Sequence, residues 1–150
     1  MFSDPGANIA KFSVADGMKV ADLGSGSGFY SIESAKRVGS SGRIYAIDVQ
    51  KSLLERLRSV ASAQGLVNIE VIWANAEKIG GTKLKDGSVD RAIVSNILFQ
   101  VTKQEDFALE IKRIVKPGGK LMVIEWTQGT PMAPKNIMTA EKVQTLFEKN

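Results

Sequence analysis

Val20-Ala21-Asp22-Leu23-Gly24-Ser25-Gly26-Ser27-Gly28-Phe29-Tyr30 is the stretch on which the fold turns. A short apolar run carrying one acid ends in three glycines at alternate positions, and a segment of helical spacing follows. Alternate glycines let the backbone turn sharply and approach a ligand without interference from Cβ. The start of the helix beyond them offers free N–H groups. Asp48 closes the second apolar run, 20 residues after Gly28. A carboxylate at such a strand tip can accept both hydroxyls of a ribose, and after an apolar run it has little structural purpose. The pair points to a ribose-containing ligand across the carboxyl ends of strands one and two.

Spacing narrows the ligand. The dinucleotide fingerprint G-x-G-x-x-G/A needs a third small residue where this chain has Phe29 or Ser31. The phosphate-binding P-loop fails as well, because no Gly-Lys-Ser/Thr follows. What stands is Asp22-x-Gly24-x-Gly26-x-Gly28, and an acid before the glycines repels a pyrophosphate but suits an ammonium group.

Outward from this loop, apolar runs recur at Ile44–Ile47, Ile69–Trp73, Ala92–Ser95 and Leu121–Trp126, joining the first at Val20–Leu23. They are Val- and Ile-rich and nearly continuous, as in strands covered on both faces of a parallel sheet. Between them Leu53, Leu54, Leu57, Val60 and Ala61 make one helical stripe, and Phe107, Ile111, Ile114 and Val115 make another. Phe29–Val38 is a weaker helix with Ile32, Ala35 and Val38 facing inward. Repeated β-α-β units of this kind close into an open parallel sheet. Lys116-Pro117-Gly118-Gly119 reads as a helix stop and tight turn before the fifth strand, and Asp86-Gly87-Ser88 as a turn into the fourth. One α/β domain over 1–150 is expected. After the breaker Thr130-Pro131-Met132-Ala133-Pro134, Thr139 can cap a last helix carrying Ala140, Val143, Leu146 and Phe147. The fifth strand is then expected to be an uncovered sheet edge.

The chain has 150 residues with neither His nor Cys. That excludes a Ser-His-Asp triad, a thiolate nucleophile, and metal sites built on His or Cys. No metal is expected. An enzyme here works by positioning, through a cofactor's own reactivity, or with carboxylates, hydroxyls, amides and lysines. The net charge of +4 comes without a clustered run of Lys and Arg, so a nucleic-acid partner is not expected. The opening residues carry no export pattern, and no apolar stretch approaches the ~20 residues that span a bilayer. A cytoplasmic protein without membrane contact is expected.

Five segments in order resemble the class I S-adenosylmethionine-dependent methyltransferases, particularly their small-molecule, ubiquinone/menaquinone-biosynthesis-like branch. They are Val20–Gly28; Asp48 in Ile44-Tyr45-Ala46-Ile47-Asp48; Ala74-Asn75-Ala76-Glu77, where the family usually has Gly-Asp-Ala-Glu; Val89–Asn96; and Val115-Lys116-Pro117-Gly118-Gly119. The resemblance covers roughly residues 17–126. It implies a Rossmann-like sheet of about five strands in the order 3-2-1-4-5 with helices on both faces. It also implies S-adenosylmethionine as cofactor, S-adenosylhomocysteine as product and a small-molecule methyl acceptor.

By that resemblance Gly24 and Gly26 back the methionine portion, with Asp22 near its ammonium group. Asp48 takes the ribose diol, Asn75 and Ala76 meet the adenine, and Ser95 places a carbonyl near the methionine end. Ser25, Gly28, Tyr30, Val49 and Glu77 complete the cofactor set. Plainer roles compete: Asp22 could satisfy the glycine turn, Asn75 could be a turn residue, Ser95 a small strand-end residue, and Trp73 core or adenine-pocket wall.

Methyl transfer from a sulfonium is an in-line displacement in which the cofactor supplies the leaving group. The protein need only hold the acceptor in line with the breaking bond. Asn96, Gln100, Glu125 and, at the start of the first helix, Tyr30 are the candidate acceptor-side residues. Glu125 is the one candidate general base; its plainer role is an edge-strand carboxylate in water. Two departures from the family stand out. Phe99-Gln100 occupies the place where many relatives have a His, and the family's C-terminal antiparallel hairpin is absent. A shortened chain, or a minimal domain covering its edge by homodimerisation or strand exchange through strand five, would account for the latter. Two other functions compete: a cofactor-binding subunit with little activity that pairs through this edge, and an RNA methyltransferase.

Overall fold

A computed structural model of the protein describes residues 4–95, 97, 100–124 and 144–147. The elements run α1 (Pro5–Lys11), β1 (Lys19–Leu23), α2 (Phe29–Val38), β2 (Arg43–Asp48), α3 (Lys51–Ala63), β3 (Ile69–Trp73), β4 (Val89–Ser95), α4 (Gln104–Ile114) and β5 (Val115–Ile124). The five strands form one sheet in the order β3-β2-β1-β4-β5, every pair parallel. This is the Rossmann-like order that the family resemblance implies.

The near-continuous apolar runs have the cause inferred for them. Val20, Ile44, Ala46 and Ile93 point to one face, where α1, α2 and α3 cover them through Ile9, Tyr30, Ile32, Ala35, Val38, Leu57 and Ala61. Ala21, Leu23, Ile47, Ala92 and Val94 point to the other, against Phe107, Ile111 and Ile114 of α4. Leu146 and Phe147, in a helical turn over 144–147, pack on this second cluster. Each large side chain removed from water here contributes about 1.5–3 kcal/mol. The central strands are sealed, whereas the outer strands β3 and β5 are half-exposed along most of their length.

Several boundaries differ from expectation. The α1 helix was not anticipated, although Asp4 caps it by accepting from the Ala7 N–H at 3.3 Å and Pro5 opens it. Such a cap followed by proline is a helix-start signal. Val60 lies off the buried stripe of α3, which is made of Leu54, Leu57 and Ala61, and is 37% exposed. Val115 leaves the α4 stripe and pairs with Val89 as the first residue of β5. Lys116–Gly119 is therefore an interruption inside β5 rather than a turn ahead of it: Val89 pairs with Val115 but Arg91 with Lys120. Gly118 at φ 83 accommodates the bulge. Thr139, Ala140, Val143, Glu125 and Trp126 lie outside the described residues, as does Asn96.

Candidate functional site

A cavity of about 370 Å³ opens beyond the carboxyl ends of β1, β2 and β3. That is where open α/β sheets bind ligands, and the volume falls within the usual range for small-molecule sites. One wall is the glycine loop with Gly24 and Gly26, and the floor is Ile47, Asp48 and Val49. The opposite wall is Ala74–Glu77, and Ile97, Gln100, Val101 and Phe107 close the remaining side.

The glycine loop is wired inward. The N–H groups of Gly24 and Ser25 both donate to the Ile47 carbonyl, at 2.7 and 3.0 Å, and that of Gly28 donates to the Ser25 carbonyl at 2.9 Å. The Gly26 N–H donates to Asp48 Oδ2 at 2.9 Å. Amides committed in this way do not form a phosphate cradle, which agrees with the failed dinucleotide and P-loop patterns. What the loop offers a ligand is bare Cα surface. Gly24, Gly26 and Gly28 all have φ between 55° and 85°, the left-handed region where glycine is at home. A Cβ on Gly26 would stand in open space on the cavity wall, with no atom within 4 Å, whereas one on Gly28 would collide with Leu57. Gly26 therefore keeps the cavity open and Gly28 lets α2 pack on α3.

Asp48 is 8% exposed. Besides bonding the Gly26 amide, it accepts from the Gln50 N–H through Oδ1 at 2.8 Å. The expectation that this acid lacks a structural purpose is thus overturned: it ties the glycine loop to the start of α3. Each carboxylate oxygen still has a lone pair for a further donor from the cavity.

Asp22 satisfies Ser31 rather than the glycine turn. Its Oδ2 accepts from the Ser31 hydroxyl at 2.7 Å, fixing α2 to β1. Burial pushes its carboxyl up to about 6; the Ser31 hydroxyl pulls the other way, and the nearby Asp48 charge adds to the rise. A cationic group placed close by would favour its ionised form. Asp22 does not line the cavity, and neither do Ser25, Gly28, Tyr30 or Ser95. The Tyr30 ring sits in the core under α1, where its hydroxyl accepts from Asn8 Nδ2 at 2.8 Å. Ser25 Oγ is buried without a partner among the described residues, one position from Gly26.

The opposite wall depends on acids that local sequence does not reveal. Asn75 Oδ1 accepts from the Glu77 N–H at 2.9 Å, closing a small turn. Glu77 Oε1 accepts from the Thr102 and Lys103 amides at 2.8 and 2.9 Å, just ahead of α4. From α4 itself, fully buried Glu110 reaches back to the same loop. It accepts from the Gly80 N–H at 2.7 Å, the Thr82 N–H at 3.1 Å and the Thr82 hydroxyl at 2.6 Å. Arg113 completes the cluster through Nε and Nη2, both at 2.7 Å, and binds Asp86 through Nη1 at 2.7 Å. Burial alone would raise the Glu110 carboxyl, but Arg113, Thr82 and the two loop amides hold it down at about 2.

Of the residues expected at the cofactor, the cavity therefore gathers Gly24, Gly26, Asp48, Val49, Asn75, Ala76 and Glu77, and Gln100 joins them. Gln50, Leu53, Ile97, Val101 and Phe107 also line it and were missed. In the sequence Leu53 and Phe107 belong to helical core stripes, and nothing local marks them as cavity-facing. Trp73 is neither core nor cavity wall: it is 59% exposed, lines a neighbouring groove, and donates from Nε1 to the Val49 carbonyl at 2.9 Å. The candidate acceptor residue Asn96 and the candidate base Glu125 fall outside the described residues.

An open parallel sheet with a glycine turn and a strand-tip acid facing one cleft defines a Rossmann-like α/β protein with a candidate ligand site at its strand tips. Comparison with known proteins sharpens this class. The family model of a methyltransferase domain matches residues 15–149, and the chain belongs to the S-adenosylmethionine-dependent methyltransferase family. The crystal structure of a SAM-dependent methyltransferase from Aquifex aeolicus superposes with a TM-score of 0.87 at 30% identity, over 97% of this chain and 78% of that one. The ubiquinone/menaquinone biosynthesis C-methyltransferase of Bordetella avium (strain 197N) is 34% identical over 127 residues, 84% of this chain and 48% of that protein. The chain spans about half the length of the curated relatives it matches. The cyclase SpnF shares the fold with a TM-score of 0.80 at 22% identity, covering 96% of this chain and 54% of that one.

Proposed function

We propose that the chain binds S-adenosylmethionine in this cavity and transfers its methyl group to a small-molecule acceptor, releasing S-adenosylhomocysteine. The observation that carries the reading is Asp48: a nearly buried carboxylate on the cavity floor, facing the open space kept by Gly26. Asp48 receives the ribose hydroxyls. Gly24 and Gly26, with Ser25 beside them, back the methionine portion, and Asp22 supplies negative charge behind it. Val49, Asn75, Ala76 and Glu77 enclose the adenine.

When bound, the sulfonium supplies both the electrophilic methyl and its leaving group. The chain's own work is to hold that group still and to exclude water with Leu53, Ile97, Val101 and Phe107. It also presents the acceptor from the side of Gln100 and Asn96, with Glu125 as the proposed general base. Among the described residues no group of His, Cys, Asp and Glu could hold a metal ion, and no helix is long and apolar enough to cross a membrane. One domain in the cytoplasm, with a second copy paired along the β5 edge, completes the reading.

Calorimetric titration with S-adenosylhomocysteine tests the proposal. Micromolar binding that Asp48→Ala weakens about a hundredfold is the expected result. Absence of binding by the unaltered protein would overturn it.

A further inference from the structure

The two acids of the far wall answer each other. Glu77 leaves the loop after β3 to hold the backbone just before α4, and Glu110 leaves α4 to hold the backbone of that loop. The loop carries Ala74–Glu77 on the cavity, while the α4 side carries Val101 and Phe107 on the same cavity. Two halves of one wall are therefore joined at both ends. The join is tight within the loop as well: a Cβ on Gly81 would collide with the Asn75 carbonyl, so the chain at 80–82 fixes where Asn75 stands.

We infer that Glu110 is a positioning residue for the cofactor: through Gly80 and Thr82 it sets the adenine-side wall, although its side chain does not reach the cavity. The inference rests on the cofactor site proposed above. A carboxylate with five donors converging on it has one orientation, and every donor from the loop is thereby located relative to α4. Replacing it with an amide puts a donor where Arg113 or a loop N–H now donates, so at least one partner must move. The loop is the part free to do so, because α4 is anchored in the core by Phe107, Ile111 and Ile114.

Fixing a supporting contact of this kind matters for affinity because misplacement by a fraction of an ångström weakens every contact the wall makes. The signature differs from simple destabilisation. A structural role lowers the melting temperature and leaves the folded molecules binding normally, whereas a positioning role weakens binding by molecules that are fully folded.

The test compares S-adenosylhomocysteine binding by calorimetry, well below the melting transition, for the unaltered protein, Glu110→Gln, Thr82→Val and Ile114→Val. Glu110→Gln is expected to bind about tenfold more weakly and Thr82→Val about threefold more weakly. Ile114→Val, which trims the same helix on its core face, should lose stability but keep its affinity. Hydrogen exchange without ligand gives a second readout: the Gly80 and Thr82 amides should exchange faster in Glu110→Gln, with the Gly26 amide unchanged. Should Glu110→Gln fail to fold, Thr82→Val decides. Folded variants that match the unaltered protein in affinity overturn the inference while leaving the site intact. Failure of the unaltered protein to bind instead removes the cofactor site itself.

Discussion

The wall built from residues 22–31 with Asp48 and the wall built from residues 74–84 face each other across one cavity, but they are held by different means. The first is stitched to its own strands: the Ile47 carbonyl and Asp48 receive its amides within about one β-α-β unit. The second leaves the sheet edge at Trp73 and is secured by α4, through Glu77 and Glu110, across sequence separations of 25 to 30 residues. A wall made of local turns keeps its shape with its strands. One that borrows its anchor from a distant helix is only as fixed as that helix. Substitutions in the two walls should therefore fail differently, the first mainly in binding and the second in stability as well.

The largest effect is expected where the borrowed anchor is cut. Glu110→Ala leaves Arg113 and the Gly80 and Thr82 donors without their common acceptor in a buried place. It should cost about 3–4 kcal/mol of folding stability in urea titrations. A loss below about 1 kcal/mol would mean that the second wall stands without α4.

Acid titration separates the walls by sign. Glu110, lowered to about 2, contributes stability that is complete above its ordinary value of 4.5 and is lost as pH falls toward 2. Asp22, raised to about 6, does the reverse: its favourable contribution is complete below 3.8 and is lost as pH rises through 6. Stability should thus rise on going from pH 7 to about 4.5 and fall below that. Asp22→Asn should flatten the upper limb alone, and Glu110→Gln the lower limb alone. An upper limb that persists in Asp22→Asn would remove this account.

In the first wall, Asp48→Ala should weaken S-adenosylhomocysteine binding about a hundredfold, equivalent to about 2.7 kcal/mol for two lost charge-assisted bonds. It also frees the Gly26 and Gln50 amides, so stability should fall by about 1–2 kcal/mol. Gly26→Ala sharpens the distinction. Its methyl points into open space, so the fold loses only the roughly 1 kcal/mol of a left-handed alanine while binding falls about tenfold. A Gly26→Ala protein that binds normally would show that the ligand does not rest on this loop.

What was legible follows the same division. Alternate glycines, a strand-tip acid and continuous apolar runs are local patterns, so the sheet and the first wall could be read directly. The role of Asp48 was only half legible, because its bonds to Gly26 and Gln50 depend on how the loop folds back on its strand. Glu110 and Arg113 have the spacing of an ordinary surface ion pair on a helix. Nothing nearby marks Glu110 as buried except its place beside Phe107, Ile111 and Ile114. The Gly80-Gly81 pair ahead of Thr82 was the other signal, since a double glycine in a short loop marks close backbone packing. The α1 helix, by contrast, has a readable start in Asp4-Pro5, but its seven residues bury only Ile9 and so carry no apolar period that marks a helix. In β5 the apolar period shows where the strand resumes but not the slip that lets Val115 pair early.

The smallest expected effect probes the hinge between the two walls' roles. Asn75 Oδ1 already accepts from the Glu77 amide and keeps one lone pair, so the side chain offers a base a single shared acceptor beside an NH₂ donor. The exocyclic amino group of an adenine is a donor, which the shared oxygen can accept and the NH₂ cannot. Asn75→Asp keeps an oxygen on the Glu77 amide and offers the second as an acceptor, without disturbing Glu77 or Glu110. S-adenosylhomocysteine should bind about threefold more tightly, with the melting temperature nearly unchanged. Tighter binding would show that the borrowed wall reads the base through position 75 as well as enclosing it. Weaker binding would mean that the added charge costs more than the acceptor contributes, leaving shape and the backbone of Ala76 to recognise the ring.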